Sequence, residues 1–359
     1  MASKKKKFMA AEEKRAAQLG ITREELLDGN VPDLGFDGNG ERRFTYGARE
    51  FIVTITPNMD FAVFETKAGP DGETRGKKTK NLPKPGKKDD PELAAAALEE
   101  FKQLKKDLKA EVKKQSKRME LVLMTARKWS VDAWKELFEG NPVMHPLAVG
   151  LVWGIYEEGK LVQSFRCRED GSFCKEDEGE FELPEAGKIT LVHPLELTKE
   201  QMKAWEDQLW EDDVEPPIDQ LDRQTYTVHK REAEKKKLVR FQKKMLHDGL
   251  FGRELEKMGW ECCMQDENYY DIYYREDKDA GLCVELHTSG NTVFECDLVE
   301  ITLRGARFYK SGTFDWENHA YDEADEAKAI VLQDIPERYF SEVILQMTEA
   351  ASNSYLGDE

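Results

Sequence analysis

The sequence predicts an α+β fold, mostly antiparallel sheets with a long helix in the N-terminal half and several shorter helices. Three observations predict it. Apolar residues recur at steps of 3 and 4 from about Pro91 to Lys128, the period of a helix. After Pro146 most runs alternate apolar and polar residues, the period of a strand, and turn formers such as Asp170-Gly171 separate them. Finally, 359 residues with 39% hydrophobic and 10% aromatic side chains are enough for a substantial packed core.

The elements follow in order. A short helix precedes a second one opened by Thr22, which with Glu25 makes a capping box; Pro32 ends it. Asp37 to Gly40 is a turn. It is not an EF-hand loop, because Arg42 stands where that loop needs glycine. Phe51, Val53 and Ile55 alternate as a strand, Pro57-Asn58 turns the chain, and Phe61 to Phe64 return. Residues 67–91, rich in Gly, Pro and Lys, read as an exposed linker. The long helix carries Leu93, Ala97, Phe101, Leu104, Leu108, Val112, Gln115, Met119, Val122 and Ala126 on one seam. Ser130 caps a further helix that stops at Gly140.

Leu151 to Tyr156 and Leu161 to Arg168 form a hairpin, Phe173 starts another strand, and Ile189 to Val192 is a short strand ending at His193-Pro194. Thr198 and Gln201 make a second capping box, opening a helix that carries Trp205 and Leu209. Glu211 to Pro217 is extended, and residues 230–258 read as helical. Tyr269–Tyr274, Leu282–His287, Thr292–Cys296 and Val299–Tyr309 read as antiparallel strands before a final helix near Ser341. Four regions result: 1–66, N-terminal helices and hairpin; 67–91, the linker; 92–145, the long helix plus a short one; and 146–359, an acidic α+β body.

The net charge of −18 is unevenly spread: residues 1–150 carry +5 and residues 151–359 carry −23. The acidic half repels nucleic acid and anionic membrane, leaving the front half, with its basic 77–118 region, or the short basic run from Lys230 to Lys244 for any nucleic-acid contact. The long helix is expected to lie on the acidic body with its Lys rows outward. No apolar run spans a bilayer and no apolar leader follows Lys4–Lys7, so a cytoplasmic location is expected. The six cysteines show no CxxC and no His at ligand spacing. They read as small, buried, reduced side chains, and neither metal nor cofactor is expected. Phosphate-binding glycine loops, a GxSxG elbow and HExxH are all absent.

Three features stand above this background. His193 ends a strand, where it either acts as a base or caps a carbonyl. Gln220-Leu221-Asp222-Arg223 offers a guanidinium for an ion pair or an anion. Trp153, Trp205 and Trp260 are buried anchors or a ligand platform.

Several strings together resemble a bacterial family of unassigned activity, domain of unknown function 4132. They are Val31-Pro32-Asp33-Leu34-Gly35, Leu82-Pro83-Lys84-Pro85, Arg127-Lys128-Trp129, Leu151-Val152-Trp153-Gly154, Asp170-Gly171-Ser172-Phe173, His193-Pro194, Gln220-Leu221-Asp222-Arg223, Gly259-Trp260 and Ser341-Glu342-Val343. The resemblance implies the C-terminal domain of longer, MolR-like proteins, carried behind helical repeats or a WGR module. It implies no catalytic residues, and it favours Gln220 and Arg223 as site residues. Trp153-Gly154-Ile155 lacks the Arg of a WGR string.

Three functional readings remain, in this order. The first is a binding or regulatory module acting with a protein partner of helical-repeat or WGR type. The second is an enzyme with a site near His193, Gln220 and Arg223. The third is a nucleic-acid-associated protein using residues 77–118.

Overall fold

In the computed structural model, residues 2–69, 72–264, 269–292, 300–316, 319–320 and 322–358 are described. The fold is α+β with antiparallel sheets, and the chain divides into two compact units. The first comprises residues 1–120, 128–192 and 196–221; the second comprises 121–127, 193–195 and 222–359.

The first unit opens with helices α1 (Ala2–Leu19) and α2 (Arg23–Asp28), the latter started by the Thr22/Glu25 capping box. A four-stranded meander follows, β1 (Arg42–Thr45), β2 (Glu50–Ile55), β3 (Phe61–Gly69) and β4 (Gly72–Arg75), in that spatial order. Helix α3 (Pro91–Thr125) lays Ala97, Phe101, Leu104 and Leu108 against Phe44, Phe51, Val53, Phe61 and Val63 of this meander. The seam as far as Val112 therefore packs on the N-terminal sheet, whereas Met124 near the end of the helix joins the core that holds Leu246, Phe251 and Phe340. The expectation that the helix would lie on the acidic body is corrected for its first half only, because the alternating aromatics of β1–β3 present the apolar face which that half needs.

The same unit holds β5 (Trp129–Ser130), helices α4 (Val131–Phe138) and α5 (Met144–Val149), then β6 (Val152–Glu157), β7 (Lys160–Cys167), β8 (Phe173–Cys174), β9 (Glu180–Phe181) and β10 (Lys188–Leu191). Their sheet runs β5-β10-β6-β7-β8-β9. The β6–β7 turn places Glu158 and Gly159 at φ 47° and 83°, the pair of positive angles that a tight hairpin turn requires. Helix α6 (Lys199–Glu211) starts at the Thr198/Gln201 capping box.

The second unit contains β11 (Lys244–His247), α7 (Asp248–Lys257), β12 (Glu261–Cys263), β13 (Tyr269–Asp277), β14 (Leu282–Thr292), β15 (Glu300–Lys310), α8 (Glu337–Ser354) and β16 (Tyr355–Asp358). The strands order as β12-β13-β14-β15-β11-β16. One face of this sheet (Tyr273, Val284, Leu286, Phe308) packs with Phe251, Leu255, Phe340 and Val343 of α7 and α8. On the other face Ile272, Tyr274, Cys283 and Tyr309 cluster with Phe314, Trp316 and Ala329 from the segment after β15.

Other expectations change at the element level. Residues 230–243 are turns and bends around the Leu238–Ala306 bridge rather than helix, since the basic run has no apolar stripe to bury; α7 begins only at Asp248. Residues 72–75 pair with β3, and Thr79 bridges Val63, so part of the glycine- and lysine-rich stretch is a sheet edge. β14 runs unbroken from Leu282 to Thr292; the expected strand Thr292–Cys296 otherwise lies outside the described residues. Cys167, Cys174, Cys263 and Cys283 are buried free thiols, but Cys262 is exposed, because adjacent residues of β12 face opposite sides. Cys296 is outside the described residues. Among those residues no helix is long and apolar enough to cross a membrane.

Candidate functional site

Trp153, Trp205 and Gln220 belong to the first unit, His193, Arg223 and Trp260 to the second, and all six are buried. The indole of Trp153 donates to Ala148 O at 3.0 Å and meets Trp134 edge-on. Trp205 donates to Ser164 Oγ at 3.3 Å, and Trp260 to Gln346 Oε1 at 2.8 Å. Each indole N–H has found a partner inside its own core, as a buried tryptophan must.

Gln220 acts on the backbone. Its Oε1 accepts from Val152 N at 2.9 Å, and its Nε2 donates to Val152 O at 2.7 Å and Val192 O at 2.8 Å. The amide thereby continues the β6–β10 ladder beyond Leu191, using both of its donors.

His193 and Arg223 meet on one carboxylate. Arg223 Nη1 donates to Glu342 Oε2 at 2.6 Å, and His193 Nε2 lies 3.1 Å from Glu342 Oε1. Leu195 N donates to His193 Nδ1 at 3.2 Å, which leaves Nε2 as the protonated nitrogen facing Glu342 in the neutral ring. Glu342 is on α8, at the second position of the Ser341-Glu342-Val343 string, and its charge is tolerated in the interior because it is paired.

A second buried polar network went unread in the sequence. Glu285 on β14 is paired across the ladder with Arg307 on β15. Its carboxylate is approached by His287 Nε2 at 2.9 Å and His319 Nε2 at 3.4 Å, and it accepts from the Tyr309 hydroxyl. Burial pushes the Glu285 carboxyl upward, but the hydrogen bonds from His287, His319 and Tyr309 outweigh it and hold the group at about 2. Glu285, His287, Arg307 and Tyr309 alternate with core residues at a spacing of two, a pattern normally read as a solvated face. Here the segment after β15 covers it, and that cover is what the pattern does not reveal. Above the network an open cleft of about 750 Å³ is lined by Phe314, Asp315, His319, Asp322, Glu323 and Lys328.

In the first unit a cleft of about 590 Å³ lies between the Gly38–Gly40 turn, strands β2 and β3, and the loops bearing Glu139 and Asp170. None of the six anticipated residues lines it. His145 does, with its Nδ1 and Nε2 each 3.3 Å from a carbonyl, of Phe138 and Glu169. Burial pushes the neighbouring Cys167 thiol up to about 12, so it stays protonated and is a poor nucleophile. Cys283 is likewise pushed to about 12 and Cys263 to about 11. Among the described residues no three His, Cys, Asp or Glu side chains stand together as a metal shell.

Trp210 was also missed. It follows Trp205 by five residues, about 140° around the helix, so α6 buries one indole and turns the other to solvent. Trp210 is 82% exposed; every other tryptophan of the chain is buried.

The profile of one protein family, described as a domain of unknown function (DUF4132), matches residues 76–260, just over half of the chain. The chain belongs to the DUF4132 family. All six anticipated residues and Trp210 fall inside the DUF4132 stretch, whereas Glu285, His319 and Glu342 lie beyond it. The uncharacterized protein YehI of Escherichia coli (strain K12) is 30% identical over 261 residues, 72% of this chain and 21% of that protein. The chain thus spans about a fifth of the length of this curated relative. No solved structure is significantly similar to it.

Proposed function

We propose that this DUF4132 chain is a binding module that works beside a protein partner, with Trp210 anchoring the contact. The observation that carries the reading is the exposure of that one indole, inside the family stretch, on a helix firmly held by Trp205. A large amphipathic ring fixed on a rigid element is the side chain that most often carries interface energy. Support also comes from the polar groups that the enzyme reading would recruit. Gln220 is spent on backbone, and Arg223 and His193 converge on Glu342 in the interior. A helical-repeat or WGR-type protein is the partner to look for first.

The test is a quantitative pull-down with the immobilised chain, comparing Trp210→Ser with Phe8→Ser, whose side chain is 72% exposed on α1. A species recovered by the wild type and by Phe8→Ser but lost with Trp210→Ser is the expected result. Identical recovery by all three proteins would discard the anchor.

A further inference from the structure

The backbone bridge at Leu238 brings three cations together. Leu238 exchanges both backbone hydrogen bonds with Ala306 of β15, which sets Lys237 opposite Arg307. The stem of Lys237 lies across Gly305, where a Cβ would stand 2.8 Å from Lys237 Cε. Arg304 is the extra residue of a β-bulge, because His287 pairs with Gly305 whereas Thr288 pairs with Leu303. A bulge re-aims the side chain it carries, and the Arg304 charge is felt at Lys237.

Among the described residues no carboxylate forms an ion pair with the Lys237 ammonium. Glu326, which attracts it, is hydrogen-bonded to Arg307 Nη2 instead. Arg304 is exposed and likewise has no ion pair among the described residues. Burial pushes the half-buried Lys237 ammonium down, and Arg307 and Arg304 push it the same way against Glu326. This favours the neutral, nucleophilic amine, as in lysines desolvated beside a second cation. The nearby Arg304 guanidinium offers a planar fork that matches phosphate oxygens.

We propose that Lys237 is a modification site, where the amine takes an acyl group from a small acyl phosphate held by Arg304. The amine nitrogen attacks the acyl carbon and a C–N bond forms. The C–O bond to phosphate breaks, and inorganic phosphate departs with its electron pair. The nitrogen loses its proton to solvent, leaving a neutral amide. Acylation thus removes one of three like charges from this strand contact. The site does not involve the Trp210 surface and stands or falls without it.

Incubation of the full chain with acetyl phosphate at pH 7, with the rate at every lysine read by peptide mass spectrometry, tests the proposal. Lys237 should acetylate several-fold faster than the exposed Lys109, and its rate should level off at a lower pH. Arg304→Gln should slow Lys237 several-fold and leave Lys109 unchanged. Three results overturn the proposal: Lys237 no faster than Lys109 in the folded chain, no slowing by Arg304→Gln, or the same preference after unfolding in urea. The last would place the reactivity in the local basic sequence rather than in the fold.

Discussion

Glu285 carries the clearest pH signature of any single residue. Its carboxyl sits near 2 in the folded chain, against an ordinary value of about 4.3 when unfolded. A depressed folded pKa contributes stability that is complete above the unfolded value and is lost as pH falls through the folded one. The window is therefore from about pH 5 down to about pH 2, with roughly 3 kcal/mol at stake. Urea unfolding at pH 7 and pH 3 should show this loss for the wild type and a flatter response for Glu285→Gln. Equal slopes for the two proteins would remove Glu285 from the account. His193, Gln220 and Arg223 could be singled out in the sequence by their neighbours in the string. Glu285 and His319 could not, because what makes them special is a partner 34 positions away and a covering segment that no local pattern announces.

At the scale of elements, the capping boxes at Thr22 and Thr198 and the seam of α3 were legible because their rules act over three or four residues. Leu93, the first residue of the seam, is exposed although it lies beside Gly47 in the β1–β2 turn. The strands β4, β5, β9 and β11 were not legible: each is only two to four residues long and owes its existence to its neighbour. Gly305 on β15 shows how tight such pairing is. It has φ +131°, and a Cβ there would stand 2.7 Å from the carbonyl oxygen of Leu238, the residue that bridges Ala306. Gly305→Ala should lower stability by about 2–3 kcal/mol, read as a shift in the urea midpoint. An unchanged midpoint would mean that the bridge is dispensable.

Over the whole molecule, the charge split along the chain does not survive folding. The first unit gathers 35 basic and 43 acidic residues, a net of −8; the second gathers 19 and 29, a net of −10. The lysines of α3 belong to a unit that is itself acidic, and several are paired there, as Lys102 with Glu99 and Lys114 with Glu111. Neither unit offers a polyanion a net attraction. The chain should therefore pass unretained through a heparin column at about 50 mM salt. Retention that vanishes when lysines of the 77–118 region become glutamate would revive a nucleic-acid role.

Gln220 has a consequence at the level of the gene. Its side chain must accept once and donate twice within a closed core. Glutamate carries no donor, lysine and arginine no acceptor, and asparagine is one methylene too short to reach both strands. A library randomised at codon 220 and sorted for folded protein should therefore return the synonymous glutamine triplets above all others, whereas one randomised at the exposed Asp219 should return many residues.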